Sequence, residues 1–194
     1  MREGEHSVIV SAMPSVPRLI SGETVLATPF FTVVKERFCH EEKGRTFDYY
    51  KLDRPDGVIV LALTTNGEII LVRQYRAALK QFTLELPCGA LDPGDSPIQA
   101  AERELYEETG YRCTLDPIGI GRIMMNRVAA REHCFFGRNA VLDPNFVPQE
   151  EIEVRCFLPD TFRELVRSGG FEQLATLGVI LLAGWEHGLR EFGL

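Results

Sequence analysis

Two aliphatic runs that flank an Asn-Gly pair constrain the fold of this chain more than any other feature. The first run spans residues 58–63, the second spans residues 69–72, and Asn66 and Gly67 lie between them. An Asn-Gly pair supplies the positive φ angles that a tight turn between antiparallel strands requires. The sequence therefore predicts a β-hairpin over residues 58–72.

Other segments add strands and helices around this hairpin. β-branched and aromatic residues, interrupted by a polar stretch, predict an antiparallel pair over residues 31–37 and 46–52. Periodicity predicts further strands at residues 82–86, 118–125, 133–136 and 152–157, and helices at residues 97–109, 160–167 and 172–187. Residues 138–151 are predicted to form a loop that ends in two carboxylates. Together these elements predict a mixed sheet flanked by helices.

Composition and charge limit the classes of partner. The chain has 194 residues, 45% of them hydrophobic, which suits one principal domain with a small appended subdomain. Its formal charge of -7 argues against a broad cationic surface, so neither nucleic-acid polymers nor membranes are expected partners. The five cysteines are scattered without a C-x-x-C pair and are interpreted as reduced thiols. No segment resembles a secretory signal or a membrane span, and we expect a cytoplasmic location.

The helix predicted at residues 97–109 concentrates acidic side chains. Ser96 can cap its start, and Gly110 marks its end. Glu104 and Glu108 are four residues apart, so their carboxylates share one side of the helix and repel each other by about 0.2–0.5 kcal/mol. A cation would relieve this repulsion, and hard oxygen ligands suit Mg²⁺ or Mn²⁺.

An arginine on the same helix can neutralise part of this acidic face. Arg103 can pair with Glu107, four residues further on, which leaves the other two glutamates for a cation. A solvated acidic surface with salt bridges is the ordinary outcome of such a charge run. The glycine-rich residues 87–95 favour the functional interpretation, because they can bring backbone carbonyls and Asp95 close to the helix.

Residues 89–111 resemble the Nudix box, whose pattern is Gly, five residues, Glu, seven residues and then Arg-Glu-U-x-Glu-Glu-x-Gly-U, where U is a bulky aliphatic residue. The matching residues are Gly89, Arg103, Glu104, Leu105, Glu107, Glu108 and Gly110. Asp95 replaces the first Glu of the pattern, and Tyr111 replaces the last aliphatic residue. Residues 58–76 and 85–87 are also similar to the strands that precede the box in ADP-ribose pyrophosphatases.

The resemblance implies a Nudix-type α/β/α sandwich with a mixed sheet and an N-terminal antiparallel β subdomain. We expect an irregular tail at residues 1–23, the β subdomain at residues 24–55 and the hydrolase domain at residues 56–194. Similar proteins form dimers through the N-terminal subdomain, so a homodimer is expected here.

The resemblance also implies a reaction. The expected chemistry is magnesium-dependent hydrolysis of the pyrophosphate bond of a nucleoside diphosphate sugar, which yields a nucleoside monophosphate and a sugar phosphate. The family pattern makes the Glu104 and Glu108 carboxylates and the Cys88 backbone carbonyl the ligands of Mg²⁺, with Mn²⁺ as an alternative. The metal would orient the diphosphate and activate a water molecule.

Four further residues are implied to complete the catalytic machinery. Arg103 and Glu107 would hold the geometry of the site or assist a ligand. Related enzymes take a general base from a late loop, which here indicates Glu150 or Glu151. The sequence does not choose between these two, and both can equally be solvated loop residues.

Several basic residues are candidates for substrate contacts. Arg73 and Arg76 can bind phosphate or stack on adenine, although a surface salt bridge is an alternative for each. A second basic group follows, at the place where ADP-ribose pyrophosphatases have a run similar to Tyr-Pro-Ser-Pro-Gly, and consists of Arg122, Asn126, Arg127 and Arg131. This polar wall suits a sugar nucleotide with more hydroxyls or another phosphate. His133 and Trp185 are interpreted as packing residues.

Two other functions remain open at this level. The chain could be a Nudix hydrolase for another nucleotide, such as a dinucleotide, or a sensing module that binds a nucleotide without turnover. The presence of Glu104, Glu107 and Glu108 together argues against the sensor, because binding alone does not need all three.

Overall fold

The computed structural model describes residues 15–148 and 151–189, and the chain divides at Asp53 into two compact units. The first unit contains an antiparallel sheet made of β1 (Arg18–Ala27), β2 (Thr32–His40) and β3 (Arg45–Asp53), in that order. A 3₁₀ turn at Glu41–Lys43 joins the last two strands. Strands β2 and β3 confirm the antiparallel pair predicted over residues 31–37 and 46–52.

Strand β1 begins inside the segment predicted to be an irregular tail, so that prediction is wrong for residues 18–23. Ser21 and Gly22 are weak strand formers, and local pattern therefore hides the strand, but pairing with β2 supplies its hydrogen bonds. Pro17 precedes the strand, where its missing N–H removes no ladder bond. Residues 1–14 lie outside the described part of the chain.

The first unit buries very little of its apolar surface. Within residues 15–53, only His40 is buried. The large apolar side chains that stand exposed on this unit include Leu19, Ile20, Val25, Leu26 and Phe30. A small sheet gains its stability from a covered apolar face. Covering these side chains would therefore stabilise the sheet.

The second unit begins at Arg54 and contains an eight-stranded mixed sheet. Its strands are β4 (Gly57–Thr64), β5 (Ile69–Arg76), β6 (Gln81–Glu85), β7 (Cys88–Ala90), β8 (Tyr111–Arg112), β9 (Leu115–Gly121), β10 (Glu132–Leu142) and β11 (Glu153–Phe157). The main order is β11-β5-β4-β10-β8, with β6 paired to β5, β7 to β4 and β9 to β10. Strands β4 and β10 are parallel, and the other pairs are antiparallel.

Helices cover both faces of this sheet. They are α1 (Pro97–Thr109), α2 (Pro159–Ser168) and α3 (Leu174–His187). One core joins alternate residues of β4 to α1 and includes Val58, Val60, Ala101 and Leu105. The other core joins the intervening residues to α2 and α3 and includes Ile59, Leu61, Phe162 and Val179. The predicted α/β/α sandwich is confirmed, and burial on both faces explains why β4 is a continuous apolar run.

The predicted hairpin between β4 and β5 is present, with a turn of a different kind. Gly67 has a positive φ of 77°, but Asn66 does not, so the expectation of positive φ angles at both residues is wrong. Thr64 organises the turn instead: its carbonyl accepts from the Gly67 N–H at 2.9 Å, and its Oγ1 accepts from the Glu68 N–H at 3.2 Å. Local hydrogen bonds to the threonine thus replace the second positive φ angle.

Other predicted boundaries differ from the structure, as three elements illustrate. Strand β9 ends at Gly121, because residues 124–128 form a turn in which the Met124 carbonyl accepts from two backbone N–H groups. Residues 138–142 were predicted as loop but extend β10, where pairing with β8 and β4 provides partners that lie far away in sequence. Helix α3 begins two residues later than residue 172.

Candidate active site

Helix α1 has the predicted bounds and carries the acidic cluster toward strand β7. The Ser96 Oγ accepts from the Gln99 N–H, and the Gln99 side chain accepts from the Ser96 N–H, which completes the capping box. Gly110 ends the helix with a left-handed φ of 74°. Because Ala101 and Leu105 face the core, the glutamates lie on other sides of the helix.

Glu104 and Glu108 both reach the backbone of β7. The Glu108 carboxylate accepts a hydrogen bond of 3.0 Å from the Cys88 N–H. The Glu104 carboxylate lies against the α-carbon of Gly89, in the space that any β-carbon at position 89 would occupy. Strand β7 and helix α1 therefore place two carboxylates side by side, and glycine at position 89 makes this approach possible.

Arg103 connects the acidic residues of the helix to the preceding loop. Its Nη1 lies 2.8 Å from a Glu104 oxygen and 3.3 Å from a Glu107 oxygen, so the predicted pairing with Glu107 is confirmed. Its Nη2 donates to the Ala90 carbonyl at 3.1 Å. Asp95, which replaces the first Glu of the box, lies 3.6 Å from the Arg103 Nε. The guanidinium fixes the relative positions of helix and loop.

The donor chemistry of this cluster fits a magnesium ion. Glu104 and Glu108 offer hard carboxylate oxygens beside an open glycine backbone. Within residues 15–148 and 151–189, no three His, Cys, Asp or Glu side chains are grouped closely enough to hold a metal by themselves. Mg²⁺ typically takes one or two carboxylates and completes its shell with water and substrate phosphate, which matches this arrangement.

The thiol of Cys88 lies in the same electrostatic environment. Burial first, and then the negative charges of Glu108 and Glu85, raise the pKa of this thiol to about 12, while Arg76 acts in the opposite direction. The thiol therefore stays protonated at neutral pH and is a poor nucleophile. If Cys88 contributes to metal binding, it does so through its backbone carbonyl and not through its thiol.

Arg76 and Glu85 form a tight ion pair beside this cluster. The Arg76 Nε lies 2.7 Å from Glu85 Oε1, and Nη2 lies 2.6 Å from Oε2. The same carboxylate accepts from the Thr83 hydroxyl at 2.6 Å and from the Gln173 amide at 3.3 Å. Glu85 raises the pKa of Arg76 most, burial opposes this effect, and the charge of Glu108 adds a smaller increase.

A groove of about 350 Å³ opens at this ion pair. Its polar side includes Arg76, Glu85 and Gln173, and its apolar side includes Leu79 and Phe82. A groove with an apolar wall and a cationic end has the character of a nucleotide site. Sequence reasoning did not assign a role to Glu85, although a glutamate inside a predicted strand was the available signal.

The other predicted substrate residues lie elsewhere. Arg73 is on the opposite face of β5 from Arg76, where it contacts Glu153 at 3.2 Å and stacks on Phe82 at 4.1 Å. Arg127 lies in the turn after β9 and donates to the Asn126 carbonyl at 3.0 Å. The structure does not bring Arg73 to the α1 side of the sheet, because successive side chains of a strand alternate in direction.

The two candidates for the general base lie before β11. Glu151 is exposed at a bend, and Glu150 lies outside the described residues. Of the two residues interpreted as packing, His133 is mostly buried and approaches Asp56 at 3.4 Å, whereas Trp185 is 70% exposed.

We expect Gly89→Ala to reduce activity much more than stability. The new β-carbon would displace the Glu104 carboxylate, which is the mobile end of a flexible side chain. A misplacement of about 1 Å in a catalytic group lowers kcat/KM about 100-fold. We expect the melting temperature to change by no more than about 4 °C. Gly121→Ala is the matched control, since a β-carbon there meets no atom within 4 Å. Equal activity of the two variants would contradict the role of Gly89.

The Glu85 carboxyl predicts an acid dependence of stability. Burial alone would raise its pKa, but hydrogen bonds from Arg76 and Thr83 outweigh burial and hold the pKa below its ordinary value. Unfolding therefore takes up a proton, so the stabilisation is present above about pH 4.3 and is lost as pH falls through the lower folded-state pKa.

Urea unfolding between pH 6 and pH 3 should then show a steeper loss of stability for the wild type than for Glu85→Gln. Glu102→Gln, which changes an exposed glutamate of α1, should follow the wild type. Parallel curves for the wild type and Glu85→Gln would show that Glu85 does not contribute to the acid dependence.

Comparison with known proteins identifies the class. Residues 53–175 match the NUDIX domain, and the chain belongs to that family. An ADP-ribose pyrophosphatase of Bacillus subtilis (strain 168) is 49% identical over 57 residues, which cover 29% of this chain and 31% of that protein. A methanol dehydrogenase activator of Bacillus methanolicus is 41% identical over 70 residues, which cover 36% and 38%. The matches thus span about a third of the length of these relatives.

A solved structure supports the same fold. The crystal structure of an ADP compounds hydrolase has a TM-score of 0.79 and covers 93% of this chain and 100% of its own, at 20% sequence identity. Within the described residues, every helix is too short or too polar to cross a lipid bilayer.

Proposed function

We propose that this chain hydrolyses the pyrophosphate bond of a nucleoside diphosphate sugar, such as ADP-ribose or a related ADP-sugar. The products are a nucleoside monophosphate and a sugar phosphate. The observation that supports this most is the placement of Glu104 and Glu108 against the β7 backbone, with the Arg76 guanidinium nearby. The name of the Bacillus subtilis relative supports the substrate class.

The proposal assigns Mg²⁺, or Mn²⁺ in its place, to Glu104, Glu108 and the Cys88 carbonyl. When bound, such an ion neutralises diphosphate charge and lowers the pKa of a coordinated water molecule. Arg103 keeps the Glu104 carboxylate in position through its 2.8 Å contact. Glu107, on the other side of the guanidinium, balances the charge of Arg103.

Arg76 would bind the diphosphate. Its contacts with Glu85 use Nε and Nη2, and a guanidinium has five N–H donors, so it retains donors for phosphate oxygens. Glu85 orients the guanidinium at the end of the groove. Arg73 and Arg127, which do not line this groove, would make outer contacts with the sugar or base.

Glu150 and Glu151 are proposed as alternative general bases. Both precede β11, whose pairing with β5 places the end of this loop at the same strand that carries Arg76. A carboxylate there can accept the proton of the attacking water.

A second copy of the chain is proposed to cover the first unit. The exposed Leu19 and Val25 of β1 and Phe30 of the following bend give that unit an apolar surface with no equivalent burial inside the unit. Burial in a homodimer would stabilise it. We also propose the cytoplasm as the location of this dimer.

The relative named as a methanol dehydrogenase activator supports a second candidate, in which nucleotide binding regulates another protein. A non-catalytic module of this kind would bind a nucleotide tightly and release no product. Hydrolysis of a dinucleotide such as NADH is the third outcome to be distinguished.

A single panel of substrates tests these functions. Release of nucleoside monophosphate is measured from ADP-ribose, ADP-glucose, GDP-mannose, UDP-glucose and NADH, with Mg²⁺ and with EDTA. We expect magnesium-dependent cleavage of an ADP-sugar. Cleavage of NADH alone would move the function to dinucleotides, and binding without product from any compound would support the sensing module.

A further inference from the structure

Gln74 carries a buried amide that lacks a hydrogen-bond partner. Among the described side chains, only Gln74 Nε2 and Arg103 Nε are buried without a hydrogen bond. Arg103 Nε has the Asp95 carboxylate at 3.6 Å, within ion-pair distance. The Gln74 amide nitrogen has no hydrogen-bond partner among the described residues, so its donors stand out as unsatisfied.

An unsatisfied donor of this kind destabilises the folded protein. Leaving a buried N–H group without an acceptor costs about 1–3 kcal/mol, whereas an apolar side chain of the same shape avoids that cost. The amide is therefore explained best by a ligand that supplies the acceptor. Substitution by an apolar residue should leave the folded protein equally stable or more stable.

The position of Gln74 indicates which ligand this is. Gln74 pairs with Thr83 across β5 and β6, while Glu85 pairs with Val72 and Arg76 pairs with Gln81. Residues two apart on a strand share a face. To reach Glu85, the Arg76 side chain must extend back along the strand past the Gln74–Thr83 pair. The amide and the guanidinium therefore lie next to each other.

The neighbouring carboxylate cannot serve the amide. Glu85 accepts four hydrogen bonds, two from Arg76, one from Thr83 and one from Gln173. Two carboxylate oxygens provide about four acceptor sites, so this capacity is used. An amide donor beside a guanidinium, with the local acceptor saturated, is a site for an oxyanion.

We propose that Gln74 donates to a non-bridging oxygen of the substrate diphosphate, beside the phosphate contact of Arg76. Gln74 is partly exposed as a residue and stands on the same face of β5 as Arg76, which lines the groove. The amide nitrogen is enclosed in the ligand-free protein, and substrate binding would turn it toward the phosphates beside that guanidinium. This inference rests on the proposed function. It adds a residue whose side chain binds the reacting phosphates.

Gln74→Met tests the inference, because methionine keeps an unbranched side chain and removes both donors. We expect the melting temperature of the ligand-free protein to be unchanged or higher. The affinity for α,β-methylene-ADP with Mg²⁺, measured by calorimetry, should fall about tenfold, as expected for a hydrogen bond to a charged group. KM for the cleaved ADP-sugar should rise by a similar factor, with kcat within about twofold.

Gln81→Met is the matched control, since Gln81 lies on the same hairpin, is exposed and already has its amide paired with Glu172. It should leave affinity and KM unchanged. A Gln74→Met protein that melts lower and binds the probe like the wild type would overturn the inference while the proposed function stands. A wild-type protein that neither binds the probe nor cleaves the panel would overturn both.

Discussion

Replacing Glu108 with glutamine is expected to lower kcat/KM for the ADP-sugar about 10³-fold, equivalent to about 4 kcal/mol of transition-state stabilisation. The amide oxygen of glutamine can still accept the 3.0 Å hydrogen bond from the Cys88 N–H, so the contact between α1 and β7 is preserved. What the variant loses is the negative charge that would hold the cation. Steady-state rates across a Mg²⁺ titration measure the effect, and we expect activity to recover only partly at high Mg²⁺.

Glu102→Gln provides the control for this experiment. It makes the same chemical change on the same helix, at an exposed position away from β7. Its activity and melting temperature should match those of the wild type. If Glu108→Gln retained full activity at limiting Mg²⁺, Glu108 would not be a metal ligand and the proposed site would be wrong.

Local chemistry explains why helix α1 could be predicted from the sequence. The Ser96 cap, its reciprocal contact with Gln99 and the left-handed Gly110 are determined by residues within a few positions of one another. The same holds for the Arg103–Glu107 pair at helical spacing. Sequence spacing therefore predicted both the bounds of the helix and part of its charge network.

Pairing between distant segments explains what sequence reasoning missed. Strand β1 contains Ser21 and Gly22, and it forms because β2 is available to pair with it. Residues 138–142 stand at the start of a stretch with no obvious element and two prolines, which predicts a loop, yet the end of β10 extends to meet β8. In both cases pairing with a distant segment decides the structure.

The two arginines of β5 show the same limit of sequence-based prediction inside the candidate active site. Arg73 and Arg76 were both candidates for phosphate or adenosine contacts in the sequence, but they are three residues apart and so point to opposite faces of the strand. Arg76 lies with Glu85 near Glu108, whereas Arg73 contacts Glu153 and Phe82. Only the register of β5 with β6 identifies Glu85 and Gln74 as neighbours of Arg76.

Arg76→Met is expected to destabilise the protein by about 3 kcal/mol at neutral pH, because it leaves the buried Glu85 carboxylate without its cation. Arg76 is 42% exposed, which keeps the expected loss at the lower end for a broken buried pair. In this variant burial should raise the pKa of Glu85 above its unfolded value. The penalty should therefore be largest at neutral pH and shrink as pH falls through that raised pKa.

The double variant Arg76→Met/Glu85→Gln separates the structural role of Arg76 from its proposed binding role. A neutral glutamine at position 85 keeps an acceptor oxygen for the Thr83 hydroxyl and removes the uncompensated charge, so urea unfolding should show most of the lost stability restored. Activity should stay at least about tenfold below the wild type, because the guanidinium that binds the diphosphate is still absent. Recovery of activity together with stability would mean that Arg76 acts only by neutralising Glu85, and the diphosphate would then have to be bound by other residues.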